Sequence, residues 1–539
     1  MSYKSNNFYS LFIIHNLPFF IALSSGVLMG LTVAPFSAWF LAWFALAPLW
    51  ILILNAAQSK TKLSYLRLSG AWGLGYYGAT LSWITGLHPL TWMGVPWLGS
   101  IAIALFAWTF VTLWGMLLAM SWGSCFYWIS RKLKSSPFTP LLRVLIGTAL
   151  WCLLENIWTN GPLWWSSLSY TQSPHNLVIL HLGQLSGASA VTASIVAVNG
   201  LIAEVWIKAR NNRQYNKYYF IPLSLFLILH LIGFNLYNQP LLKPPEAALK
   251  IGIIQGNIPN RIKFDSYGLR RGIEGYTSGY LKLVDQGVNA VLTPEGALPY
   301  FSRDILDSSL VAAVKQKGVV VWIGGFAERP NSNAYANSLF TFTSDGKIYS
   351  HFEKSKLVPL GEYVPFEEIL GKLIRRLSVV TARQVPGSTN QIFDTPLGRV
   401  IAGICYESAF PEQFRRQAFS GGQFIITASN NDPYSKAMQM QHHALDTMRA
   451  IETDRWAARA TNTGLSAFVN PHGKTLWISG HNTYETHAET IYRRQTQTMY
   501  VRWGDWLTPL LTVLSILGLI INNLNTCSTG VSPVQSRKI

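Results

Sequence analysis

Long apolar stretches, repeated along the first 240 residues and returning once near the end, constrain this chain more than any other feature. They lie at 17–33, 38–56, 69–87, 98–120, 141–158, 180–206 and 219–237, with one more at 506–521. Crossing the ~30 Å hydrocarbon core of a bilayer takes about 17 to 25 helical residues. Most of the stretches have that length, although the fourth can run on to Ser130 and the fifth carries Glu155. Eight spans are therefore expected. Seven form a membrane domain over residues 1–240, an extramembrane domain follows over 248–503, and an eighth span at 506–521 precedes a tail at 522–539.

The formal net charge is +18, which in a soluble protein points to nucleic acid. Only 13% of residues are charged and 49% are hydrophobic, which excludes a disordered or ordinary cytosolic chain, so the placement of the cations decides. They cluster in the loops after the second span (Lys60, Lys62, Arg67), the fourth (Arg131, Lys132, Lys134, Arg143) and the sixth (Lys208, Arg210, Arg213, Lys217). The intervening loops, around Pro35, Pro89 and Pro162, carry none. Positive residues stay in the cytoplasm, so both termini are expected inside and the 248–503 domain outside. No nucleic-acid partner is expected. The first span lacks a small-residue cleavage site and is expected to be retained.

Of the four cysteines, Cys125 and Cys152 lie in or beside spans, Cys527 lies in the tail, and Cys405 alone lies in the extramembrane domain. That domain cannot close a disulfide of its own, and a lone thiol facing an oxidising compartment is a liability unless it works as a nucleophile.

Residues 248–503 alternate β-rich runs (ALKIGIIQ, NAVLTPE, GVVVWIGGFA, NSLFTFT, GRVIAGICYE, QFIITASN) with helix-like stretches at 269–287, 303–317 and 436–458. Strands apolar nearly throughout imply sheets covered by helices, an α/β or layered α–β fold. Glu295, Lys354 and Cys405 fall at strand ends or just beyond them, where ligand sites form. The chemistry needs all three types. A thiol must lose its proton to attack a carbonyl, a carboxylate can accept it, and an amine can hold the oxyanion, with the backbone N–H of Tyr406 as a second donor.

The strings TPEGALP, FEKSKLVPLGEYVPF and GICYES resemble the Glu, Lys and Cys motifs of the nitrilase superfamily of carbon–nitrogen hydrolases. With seven spans before them and one after, the whole chain resembles the apolipoprotein N-acyltransferase family, from APFSAW through GPLWWSSLSY to YVRWGDWLTPL. The resemblance implies an αββα sandwich outside a bacterial plasma membrane, working as a monomer without a cofactor. It also implies roles: Glu295 as general base, Lys354 as oxyanion stabiliser, Cys405 as a nucleophile that becomes a thioester, and Glu362 as an orienting or proton-shifting group. Tyr406 and Glu407 match the residues after the family's cysteine. The implied reaction is ping-pong. An acyl chain passes from a phospholipid to Cys405 and then to the α-amine of a diacylglyceryl-cysteine on an apolipoprotein. The competing expectation is a membrane-anchored amidase using the same triad on water. Two lipid-anchored substrates favour transfer, because a membrane enzyme meets them at high effective concentration.

Some positions depart from the family pattern: Phe264 where Trp is frequent, Gly296 after the glutamate, Leu360, and Pro433-Tyr434 in NDPY. These are expected to tune acyl-chain and acceptor preference. Lys356 is the alternative to Lys354, which is favoured by its spacing to Pro359. Phe366, Ile369, Leu370, Leu373, Ile374 and Leu377 follow a 3-and-4 spacing that predicts an amphipathic helix, a candidate lid at the lipid interface. Glu155 is expected to hold the GPLWWSS loop, whose tryptophans are expected to form an interfacial belt. His442 and His443 are adjacent, and no metal is expected because neighbouring helical residues face different ways.

Overall fold

The computed structural model describes residues 3–59, 64–161, 163–330, 332–359, 361–363, 383–432 and 434–524, with side chains described from Asn16 onward. Lys60, Lys62, Pro162, Leu360, Pro433, the tail, and the candidate lid residues Phe366, Ile369, Leu370, Leu373, Ile374 and Leu377 lie outside them.

Among the described residues six helical segments, not eight, are long and apolar enough to cross a membrane. They are Trp39–Gln58, Trp97–Lys132, Thr139–Thr159, Ala188–Arg210, Arg213–Tyr237 and Leu507–Leu524. The first expected span lies in the 28-residue helix Tyr3–Gly30, whose described apolar part is Asn16–Gly30, and the third lies in the helix Ser64–Thr80, described over 17 residues. These two helices meet backbone to backbone. A Cβ at Gly26 would stand 2.1 Å from the Trp72 carbonyl oxygen, and one at Gly75 would stand 2.4 Å from that of Leu23. Small residues permit this approach. The sixth expected span is cut at its start: the chain turns at Gly187, and the long helix starts only at Ala188. The 36-residue helix Trp97–Lys132 is about 54 Å long at 1.5 Å per residue, so it outruns the hydrocarbon core.

The extramembrane domain holds thirteen described strands: β1 (Ala248–Gln255), β2 (Ala290–Leu292), β3 (Val320–Glu328), β4 (Ala334–Phe342), β5 (Ile348–Glu353), β6 (Arg383–Gln384), β7 (Phe393–Thr395), β8 (Gly398–Ile404), β9 (Phe424–Ser429), β10 (Ala457–Thr461), β11 (Ala467–Val469), β12 (Thr475–Ile478) and β13 (Glu485–Tyr492). One sheet runs β13-β1-β2-β3-β4-β5 with β6 beside β4, and the other runs β12-β11-β10-β9-β8-β7. Each has a parallel centre, β1-β2-β3 and β8-β9-β10, flanked by antiparallel strands. The inner faces share one apolar core, in which Ile253, Leu292 and Trp322 pack with Ile404, Phe424 and Ala458. Helices Ser266–Val284 and Ser309–Lys317 cover the first sheet, and Pro411–Phe419 and Lys436–Thr453 cover the second. Burial on both faces explains why these strands read as apolar runs without alternation.

Candidate active site

Glu295, Lys354 and Cys405 lie just beyond the C-terminal ends of β2, β5 and β8. Gly324 admits the first of these loops, since a Cβ there would fall 2.1 Å from the Pro294 carbonyl oxygen. Cys405 opens the 3-10 turn Cys405–Ala409 at φ +53°, a left-handed conformation that costs a residue with a Cβ and turns the thiol off the strand axis. Its backbone oxygen accepts a hydrogen bond from His442 Nε2 at 2.8 Å.

The three side chains are brought together in a buried cluster. Lys354 Nζ lies 2.9 Å from Glu295 Oε1 and 2.6 Å from Glu362 Oε1. Glu295 Oε1 also accepts from Asn337 Nδ2 at 2.7 Å, and Oε2 from the Asn430 N–H at 2.8 Å. Burial pushes the Glu295 carboxyl up, but Lys354, these donors and Lys263 together hold it below the usual carboxylate range. Lys354 runs the other way: burial lowers it, yet two carboxylates keep it well above an ordinary lysine. Burial and the Glu295 carboxylate within hydrogen-bonding reach raise the Cys405 thiol, so the proton rests on sulfur and the Glu295 carboxyl is ionised. Lys356 turns elsewhere, its Nζ 4.8 Å from the centre of the Phe410 ring.

Glu362 braces the lysine loop through its second oxygen, which accepts from the Val358 N–H at 2.7 Å. Glu407 ties the two loops together. Its Oε1 accepts from the Ser355 N–H and Oγ, each at 2.7 Å, and its Oε2 from the Ile404 N–H at 2.7 Å. Tyr406 points to the membrane domain, donating to the Trp164 carbonyl at 2.6 Å and stacking on Trp165. Trp165 Nε1 in turn donates to Gln441 at 2.9 Å. Trp164 and Trp165 are thus buried in the seam with the extramembrane domain and are not an interfacial belt, because their faces are covered by protein. Glu155 holds that loop: it accepts from the Leu168 N–H, Ser167 Oγ, Trp151 Nε1 and Thr192 Oγ1 at 2.7–3.0 Å.

Phe264 is not brought into the cluster; it is 65% exposed. The preceding residue, Lys263, is buried instead, with Nζ 3.2 Å from the Glu295 carbonyl oxygen. Lys263, Asn337 and Asn430 escaped sequence reasoning, and His442 was weighed there only as a metal ligand. A lysine one place before an expected substrate-contacting aromatic was the available signal for the first, and nothing local marks the two asparagines or the bond from His442 to the Cys405 carbonyl. Tyr434 stands near Cys405 and packs edge-on against Trp83 at 5.5 Å. The two histidines diverge, His443 Nε2 pairing with Thr475 Oγ1 at 2.9 Å. Burial lowers His442 to about 3, so its ring is neutral. A neutral ring donating through Nε2 accepts at Nδ1, which meets Asn431 Nδ2 at 3.1 Å.

Two family descriptions match this chain: carbon-nitrogen hydrolase over residues 250–500, and apolipoprotein N-acyltransferase N-terminal domain over 25–201. A protein of Nostoc sp. described as an apolipoprotein N-acyltransferase is 62% identical over 495 residues, covering 92% of this chain and 97% of its own length. Proteins of the same description from Synechocystis sp. and Pasteurella multocida are 47% and 27% identical. They cover 91% and 93% of this chain, and 98% and 94% of their own lengths.

Proposed function

The chain belongs to the apolipoprotein N-acyltransferase family and is a multi-pass membrane acyltransferase of the carbon–nitrogen hydrolase superfamily; from that premise we propose how its residues divide the work. Glu295 takes the proton of Cys405, and the sulfur attacks an ester carbonyl of a phospholipid. Lys354 and the Tyr406 N–H hold the oxyanion, and the lysophospholipid leaves with the proton from Glu295. The α-amine of a diacylglyceryl-cysteine at the N-terminus of an apolipoprotein then attacks the thioester carbonyl while Glu295 takes a proton from the nitrogen, and as the C–S bond breaks that proton returns to the Cys405 sulfur. Glu362 and Glu407 hold the lysine in register.

The observation that carries this reading is the Lys354 ammonium shared between Glu295 and Glu362 beside a buried thiol. A site closed to bulk water protects a thioester until the amine arrives. Cations on alternate loops support an outward-facing catalytic domain in a bacterial inner membrane.

The test is mass spectrometry of the purified protein with phospholipid alone, then with a diacylglyceryl-cysteine peptide. An acyl-sized gain on the Cys405 peptide that moves to the peptide amine is expected. An adduct that decays only to free fatty acid would instead mark a hydrolase, and an active protein without an adduct would overturn the role of Cys405.

A further inference from the structure

Counting charge through the first step exposes a gap that the triad leaves open. At rest, Lys354 stands between two carboxylates. When the S–H bond of Cys405 breaks and an O–H bond forms on Glu295, that carboxylate becomes neutral. Lys354 and Glu362 then remain as a pair of zero net charge 2.6 Å apart, and the thiolate is a buried anion that this pair does not compensate. The same holds for the tetrahedral oxyanion that follows.

Lys263 is a further buried cation at the Glu295 loop. It ends the short helix Asn260–Lys263, is buried, and donates to the Glu295 carbonyl oxygen, with no carboxylate within ion-pairing distance among the described residues. One hydrogen bond leaves two of its three N–H groups unspent. Its Nζ lies where a side chain at position 296 would stand, 3.3 Å from an ideal Cβ built on Gly296. The ammonium feels Glu295, Asp432 and Cys405 together. Cys405 is faced by Glu295, Glu362, Lys354 and Lys263, with the phenol of Tyr434 beside it and the neutral ring of His442 on its carbonyl.

We propose that Lys263 is a positioning residue for the nucleophile: its unpaired ammonium anchors the Glu295 loop and compensates the Cys405 thiolate while Glu295 carries the proton. The inference rests on the roles proposed for Glu295 and Cys405. Burial lowers Lys263 to about 8, so its charge is at hand at neutral pH and lost above it.

The test is the rate at which iodoacetamide alkylates Cys405 in the full-length protein, followed on the Cys405 peptide across pH. Lys263→Met, which removes the charge, is expected to slow alkylation at pH 7.5 at least tenfold and to move the midpoint of the pH profile up by one unit or more. Lys263→Gln keeps an amide donor for the Glu295 carbonyl and is expected to shift the midpoint equally, whereas Lys263→Arg restores most of the rate. Either neutral variant, folded by its melting curve, with the rate and midpoint of the unsubstituted protein overturns the proposal. So does an Arg variant as slow as Met with the midpoint unmoved, which would mark a purely steric role. Should Cys405→Ser still yield an acyl adduct with phospholipid on another residue and transfer it, the triad reading fails and this inference fails with it.

Discussion

Glu155, in the membrane helix Thr139–Thr159, and Glu295, at the mouth of the first sheet, are both buried carboxylates with several hydrogen bonds each, yet their partners differ in kind. Glu155 takes four neutral donors, all fixed by the fold. Glu295 takes two neutral donors and one ammonium that it shares with Glu362. Neutral donors suit a carboxylate to act as a strut, since a proton arriving there would have to displace a hydrogen bond. A shared cation suits it to the role of base proposed for Glu295, since protonating one carboxylate leaves the ammonium paired with the other. Burial is common to both sites, and the partners decide the role.

The largest expected effect on this contrast is at Glu295. Glu295→Gln keeps shape but not basicity, and the rate of acyl-adduct formation per folded molecule should fall by about a thousandfold, with melting lowered as well because its amide nitrogen faces a buried donor. Glu155→Gln should lower melting alone. An amide nitrogen facing a buried donor costs about 1–3 kcal/mol, so melting falls, while adduct formation per folded molecule stays within roughly threefold. An adduct rate lost at unchanged melting in Glu155→Gln would break the comparison.

Between them stands the link from membrane to nucleophile. Tyr406→Phe removes the 2.6 Å hydrogen bond to the Trp164 carbonyl, and a loss of about 1 kcal/mol, roughly fivefold in adduct rate, is expected. The smallest effect is in acid. Because Glu295 is held below the ordinary carboxylate range, its pairing stabilises the fold at neutral pH. That stability is lost as pH falls through the lowered value. The slope of unfolding free energy against pH below about 4.3 should therefore be shallower in Glu295→Gln than in the unsubstituted protein.

Much of the site was legible in the chain because its members sit inside short local strings. The eight-residue spacing of Lys354 and Glu362 and the run Cys405-Tyr406-Glu407 place chemistry-bearing residues at strand ends. Hydropathy identified the long spans but not the close approach of Tyr3–Gly30 to Ser64–Thr80, because a window of residues cannot show how closely two backbones pack. The bonds from Asn430 and His442 stayed hidden for another reason: each reaches a partner 135 or 37 residues away, through a contact that only the packed sheets create. Trp164 and Trp165 were misplaced because a tryptophan pair at the end of a span is written the same way whether lipid or protein covers it.

The sequence by itself determined that apolar runs must be buried in a bilayer or between layers, and that one thiol, one amine and one glutamate would stand at strand ends. Periodicity and strand length are local properties, and they survive in any fold that satisfies them. Only the tertiary structure decided which carboxylates share Lys354, that Glu407 clamps the lysine loop to the cysteine loop, and that Lys263 turns inward while Phe264 turns out. The roles of these groups depend on distance and on water exclusion. Both arise only when segments tens of residues apart close on one another.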